Sequence, residues 1–232
     1  MSRIRQEEGF TLPELLIAIT IALVISLASF ALIEVSMRRA GDVAGRVEAS
    51  QKGRAAMDFI SRQVRSQVCL SSTIPPMASA KAAEVSFYVD LSDGSAGAPP
   101  ELHTITHDPV ARTLVERAYV GAGVSPNIVY PAAPTRTKVL AEDVVAYRPP
   151  GGSADLPIFQ YSAFNLATPP RPELVLPVPL NATDLARVAR IEVNFRKLPP
   201  GRTTTRGSIV LQDEIYVRAA NPNDPAPTPT CA

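Results

Sequence analysis

The chain has 232 residues with 23 Lys/Arg against 22 Asp/Glu, a formal charge of +1. That near-balance excludes an acidic tail and the broad basic field on which nucleic-acid binders rely. With 46% hydrophobic residues the chain has enough apolar material for a core of its own, which argues against disorder throughout.

Proline divides the sequence. Of the 23 prolines, 22 lie at or after Pro75, and the stretch from Glu14 to Ile74 has none. This stretch can be helical without interruption, whereas the proline-rich remainder cannot be a helical bundle. The expected architecture is therefore α+β, with a long N-terminal helix followed by a β-rich domain.

Near the N-terminus, Leu15 to Ile33 reads LLIAITIALVISLASFALI, nineteen residues without a charge. As a helix rising about 1.5 Å per residue it spans roughly the 30 Å hydrocarbon core of a bilayer. Arg3 and Arg5 would suit the basic end of a cleaved secretory signal, and small residues occur from Ala28 to Ala31. The apolar stretch nevertheless exceeds the usual ~7–15 residues of such signals, and helical patterning continues past it. Glu14 stands at the lip of this segment, where an unpaired carboxylate is costly and calls for a cationic partner.

The residues around Glu14 carry a resemblance. A short basic leader ends in Gly9 and is followed by Phe10-Thr11-Leu12-Pro13-Glu14-Leu15-Leu16-Ile17-Ala18. This resembles the type III signal of type IV pilins and type II secretion pseudopilins, with a glycine before the cut, an aromatic first mature residue and a glutamate at the fifth mature position. The resemblance implies cleavage between Gly9 and Phe10 by a prepilin peptidase and N-methylation of Phe10. It also implies a role in assembly for Glu14, whose carboxylate would pair with the Phe10 amine of a neighbouring subunit. Pro13 departs from the aliphatic residue more usual there, but it falls in the first helical turn, where its missing N–H costs little.

Beyond the span, Val43, Val47, Met57, Ile60, Val64 and Val68 follow helical spacing, so one helix of fifty to sixty residues is expected, its second half docking on the β domain. Between Ser36 and Val68 seven Lys/Arg meet three Asp/Glu, which reads as a solvated or filament-facing surface because stacking aromatics are absent apart from Phe59. Gly41 and Gly45 form a small-xxx-small pair, a weak helix-packing signal.

After Thr73 the periodicity becomes two. Strands are expected near Glu84–Leu91, Leu102–His107, Arg112–Val120, Lys138–Tyr147, Ile158–Phe164, Val188–Leu198 and Ser208–Arg218. Ile191, Val193 and Phe195 alternate with Glu192, Asn194 and Arg196, and Ile209, Leu211, Ile215 and Val217 oppose Gln212, Glu214 and Arg218, as in half-exposed antiparallel strands. Pro149–Pro157 and Thr168–Pro172 read as surface loops. The element order resembles that of larger minor pilins and J-type minor pseudopilins, and with the leader the resemblance covers most of the chain.

The expected organisation is a leader over 1–9, a transmembrane helix over 10–35, the amphipathic half of the helix over 36–70, a β domain over 71–220 and a Pro-rich tail over 221–232. Cys69 and Cys231 are an even count in a domain expected outside the cytoplasm, and a disulfide between them would pin the tail to the helix end. His103 and His107, on one face of a strand about 13 Å apart, are too distant to share a metal and read as surface or hairpin histidines. Asp90 and Asp93 in DLSDG read as a turn. No G-x-S-x-G elbow or glycine-rich phosphate loop occurs, so neither an enzyme, a cofactor nor a metal is expected. Asn181-Ala182-Thr183 matches a glycosylation sequon, a common chance occurrence.

The resemblance further implies a single-span protein of the cytoplasmic membrane with its C-terminal domain outside, later part of a pilus or pseudopilus, at its tip or in its initiation. Its implied partners are the prepilin peptidase, other pilin or pseudopilin subunits, an inner-membrane assembly platform and membrane lipid. The alternative is a membrane-anchored ligand- or DNA-binding module of an adhesion or competence pilus, the one setting in which nucleic acid would be a partner.

Overall fold

The computed structural model describes residues 11–71, 74–90, 99–124, 127–165 and 173–217. The chain forms two units, one ending at Gly45 and the other beginning at Arg46. A 54-residue helix, α1 (Leu12–Arg65), supplies the described part of the first unit and opens the second. Its length follows from the absence of proline after the first turn, and it ends with Arg62 and Arg65 in its last turn, where cations complement the helix dipole.

In the second unit α1 is followed by β1 (Met77–Ala80), β2 (Glu84–Val89), β3 (Glu101–Asp108), β4 (Thr113–Tyr119), β5 (Arg136–Ala141), β6 (Val144–Val145), β7 (Phe159–Phe164), β8 (Glu173–Leu176), α2 (Ala182–Leu185), β9 (Arg190–Lys197) and β10 (Ile209–Tyr216). The strands form two antiparallel sheets, β1-β2-β3-β4-β5 and β10-β9-β7-β8, with β6 added to β9. The α+β layout expected from the proline distribution is thus present, with the second half of the helix packed on antiparallel sheets. One apolar cluster joins them: Ile60 and Val64 of α1 meet Phe87 and Ile105 of the first sheet and Tyr161 and Phe195 of the second, all essentially inaccessible to solvent.

The face of α1 that packs follows the stripe of large residues at Met57, Ile60 and Val64 and departs from it nearer the N-terminus. Val43 and Val47 are exposed, and the buried run is Ala49, Gly53, Ala56, Met57, Ile60, Ser61 and Val64. Small residues take the upper positions because β10 lies close: an ideal Cβ on Gly53 would be 2.4 Å from Leu211 Cδ1 and 3.6 Å from Lys197 Cβ. Gly53→Ala requires only the tip of Leu211 to turn away, offset by the roughly 1 kcal/mol gain in helix propensity. Gly53→Leu forces α1 off β10 and is expected to cost about 2 kcal/mol, measured by urea denaturation of the soluble domain.

The segment Lys138–Tyr147 is two strands rather than one. At Asp143 the backbone is left-handed, with φ 52°, and the chain passes from β5 in the first sheet to β6 in the second. The turn is held on both sides, because Val144 N–H donates to Arg112 O (2.8 Å) and Leu198 N–H donates to Asp143 O (2.9 Å). Aspartate tolerates this conformation better than most residues. The loop over 149–157 contains no strand, and Arg148 pairs with Asp155 across it. The loop at 168–172, the strand ends at Leu91 and Arg218, Asp93 and the tail from 221 lie outside the described residues.

The histidines are not surface residues. His103 is 1% exposed and His107 6%, since the face of β3 that carries them also carries Ile105 and turns inward. His103 stacks on Phe87 with ring centroids 6.3 Å apart; its Nδ1 lies 2.8 Å from Glu116 and its Nε2 3.1 Å from Glu101. His107 Nε2 lies 3.1 Å from Val144 O, which ties the first sheet to β6. Asn194, placed on the open face by alternation, is fully buried, its side-chain oxygen accepting from Gln212 Nε2. Covering neighbours on the same face, rather than strand position, decide its burial.

Candidate processing and assembly site

Local chain geometry at the N-terminal end of α1 is simple. Leu15 N–H donates to Thr11 O (3.1 Å), closing the first turn around Pro13, a position where no donor is lost to the helix. Glu14 is exposed in that first turn, where a carboxylate is favoured by the helix dipole. Gly9 and Phe10 lie outside the described residues.

From Leu12 onward every side of the helix is open. Leu15, Leu16, Ile17, Leu23, Val24 and Ile25 are all more than half exposed, and because successive residues lie about 100° apart they point to different sides of the cylinder, so no single sheet or helix could cover them. The helix is long and apolar enough to cross a membrane, and none of that stretch is buried within the chain. Just past the apolar run Glu34 bonds Arg38, one turn on. Charged groups thus begin where the hydrocarbon-length segment ends.

Cys69 lies beyond the other end of α1. There the chain adds to β2: Gln67 bridges Val89 and Val68 N–H donates to Tyr88 O (3.0 Å). Cys69 follows directly and is half-buried. Cys231 lies outside the described residues.

Elsewhere, a cleft of about 350 Å³ is lined by Lys52, Val139, Glu142, Asp143, Lys197 and Pro200, among others. Its two cations are engaged: Lys52 pairs with Glu48 at 2.7 Å, and buried Lys197 donates to Leu198 O with Asp143 3.6 Å away. The pairing raises the Lys52 pKa and lowers that of Glu48, chiefly through their hydrogen bond. Among the described residues no group of three or more His, Cys, Asp or Glu is placed to hold a metal ion. Asn181 is engaged as the N-cap of α2, accepting from Asp184 N–H and donating to the Asp184 carboxylate.

Residues 4–30 match a family model described as the prokaryotic N-terminal methylation motif. The match covers Gly9, Phe10 and Glu14 and runs into the apolar helix. No curated protein matches the chain.

Proposed function

We propose that this chain, which carries a prepilin-type N-terminal motif over residues 4–30, is a minor pilin or pseudopilin, a structural subunit of a type IV pilus or a type II secretion pseudopilus. The motif implies processing by a prepilin peptidase and assembly with other pilins. In this reading the peptidase cuts between Gly9 and Phe10 and the new Phe10 amine is methylated. The α1 segment from Leu12 then holds the protein in the cytoplasmic membrane, with the β domain outside. Assembly draws the span out of lipid into the filament, where repeated heterologous contacts build a helix rather than a closed ring.

The observation that carries this reading is the register of Gly9, Phe10 and Glu14 at the entry to a helix that begins at Leu12 and is apolar on all sides from Leu15 to Ile33. A cationic amine and a carboxylate in lipid are each expensive alone, and together they neutralise one another. A β domain as large as the one over 71–220 suits a low-copy tip or initiating subunit rather than the repeating body of a filament. A Cys69–Cys231 bridge would complete the domain by tying its C-terminal end to the residues that leave α1 for β2; the chain-entropy model puts its upper contribution at about 5 kcal/mol.

Mass spectrometry of the membrane-extracted protein tests the central claim. A mature N-terminus at methylated Phe10 is expected. An N-terminus at Met1, or a cut near Ala31, would overturn the reading.

A further inference from the structure

The hairpin that joins β9 to β10 is aligned with α1 at three points. Arg46 packs on the turn at Gly207, its Nε 3.2 Å and its Cγ 3.4 Å from where a Cβ on that glycine would stand. Leu211 meets Gly53, and the Ser61 hydroxyl donates to the Asp213 carboxylate. From Gly207 to Asp213 the strand rises about 20 Å, and from Arg46 to Ser61 the helix rises about 22 Å. β10 therefore runs beside α1 and in the same direction. The closed end of the hairpin points back along α1, to the end at which the helix enters this unit.

Two turns shape that closed end. Arg202 N–H donates to Pro199 O and Ser208 N–H to Thr205 O, each at 3.1 Å. Gly201 (φ 69°) and Gly207 (φ 77°) take the third position of each turn, where a left-handed backbone favours glycine. Between them Arg202 to Arg206 is exposed throughout, and Arg46 beside Gly207 is exposed as well. No Asp or Glu occurs from Leu198 to Gln212, and among the described residues no carboxylate pairs with Arg46 or Arg206. At the base of the hairpin, in the cleft that Pro200 lines, Asp143 faces Lys197 and Lys52 pairs with Glu48. Glu142 alone is left there against three arginines.

We propose that this hairpin end rests on the anionic headgroups of the membrane that α1 crosses, an inference that rests on the proposed membrane anchor. Arg46 stands thirteen residues beyond Ile33, the last of the apolar run, a rise of about 20 Å as helix. Headgroups fill roughly the first 5–7 Å of that distance. A hairpin end projecting about two or three residues past Gly207 takes up about 7–10 Å more. The length of an arginine side chain and the roughly 8–10 Å over which charges act through salt solution cover the rest. The intervening segment supplies no net charge, Glu34 and Asp42 balancing Arg38 and Arg39, so the arginines of the hairpin end are what an acidic surface attracts. Duplex DNA suits the site less. Three arginines offer few of the phosphate contacts that hold DNA, and no aromatic ring lies between Leu198 and Ser208 to stack a base.

The test uses the full chain in lipid nanodiscs, with the photocrosslinker p-benzoylphenylalanine at Thr204. In discs of phosphatidylcholine with phosphatidylglycerol, irradiation is expected to give a lipid adduct, located by peptide mass spectrometry. Its yield should fall about tenfold or more in discs of phosphatidylcholine alone, each arginine near an acidic surface being worth roughly fivefold. The triple variant Arg46→Gln/Arg202→Gln/Arg206→Gln should lose as much in the acidic discs, and the corresponding Arg→Lys triple should keep the yield, with the domain melting temperature unchanged in both. No lipid adduct, a yield indifferent to phosphatidylglycerol or to the glutamine substitutions, a lysine triple that loses the adduct, or adducts that move to added duplex DNA would each overturn the inference. A chain that fails to enter the discs sinks the membrane anchor itself, whereas one that enters and gives no adduct sinks the hairpin contact alone.

Discussion

Alanine in place of Glu14 is expected to leave cleavage after Gly9 intact and to remove the protein from sheared filaments almost completely. Glu14 is exposed in the first turn of α1, in a different unit from the β domain, so membrane level and domain stability should not change. On the proposed function, what is lost is the anion opposite a neighbour's Phe10 amine. Removing one partner of a buried ion pair costs about 3 kcal/mol or more because the other charge remains, which corresponds to a depletion of more than a hundredfold. Immunoblots of sheared filaments against membranes measure the partition, and mass spectrometry of the membrane form checks the cut. Normal incorporation of the alanine variant would remove Glu14 from assembly. Glu14→Gln separates charge from shape, and it should behave like alanine if the carboxylate's charge is what matters.

The second large effect concerns the centre of the β domain. Tyr161 of β7 is fully buried, and its hydroxyl lies 3.1 Å from both Lys81 O and Glu84 O at the start of β2, bridging one sheet to the other. Tyr161→Ala is expected to destabilise the soluble domain by about 3–5 kcal/mol through lost burial and the cavity left behind. Tyr161→Phe keeps the ring and forfeits the bridge, for about 1 kcal/mol. Burial pushes the Tyr161 pKa well above that of an ordinary phenol. Its contribution is therefore whole below about pH 10, where the unfolded chain's tyrosines begin to ionise, and is lost as pH rises from there toward the folded value. Thermal melts across that alkaline limb should fall less steeply for Tyr161→Phe than for the natural chain.

What could be read from the sequence was what is encoded locally. The Gly9, Phe10, Glu14 register is a string of neighbours in one segment and needs no tertiary information. Strands β2, β3, β4, β7, β9 and β10 showed themselves by alternation over six or more residues. β1 and β8 did not, since MASA has no branched or aromatic side chain and ELVL is only four residues between prolines. The one-turn helix α2 is too short to have a period. The break at Asp143 hides in VLAEDVVAYR, which reads as a continuous strand unless the left-handed residue is known. Burial of His103, Asn194 and Lys197 comes from what covers them. The docking face of α1 does not follow Val43 and Val47, because the close approach of β10 selects alanine and glycine, and these leave no stripe of large apolar side chains in the sequence.

The crossing at Asp143 bears on how the domain yields under load. In the proposed filament, tension would pass through α1 into whatever the helix grips, and two separately stacked sheets could shear apart as independent plates. Here a single backbone enters one sheet as β5 and leaves in the other as β6, clamped at the corner by hydrogen bonds to Arg112 and Leu198. The plates are sewn along a seam. Neither can peel away without unravelling the other, so pulling experiments on the domain should record one rupture event where an unstitched pair of sheets would give two.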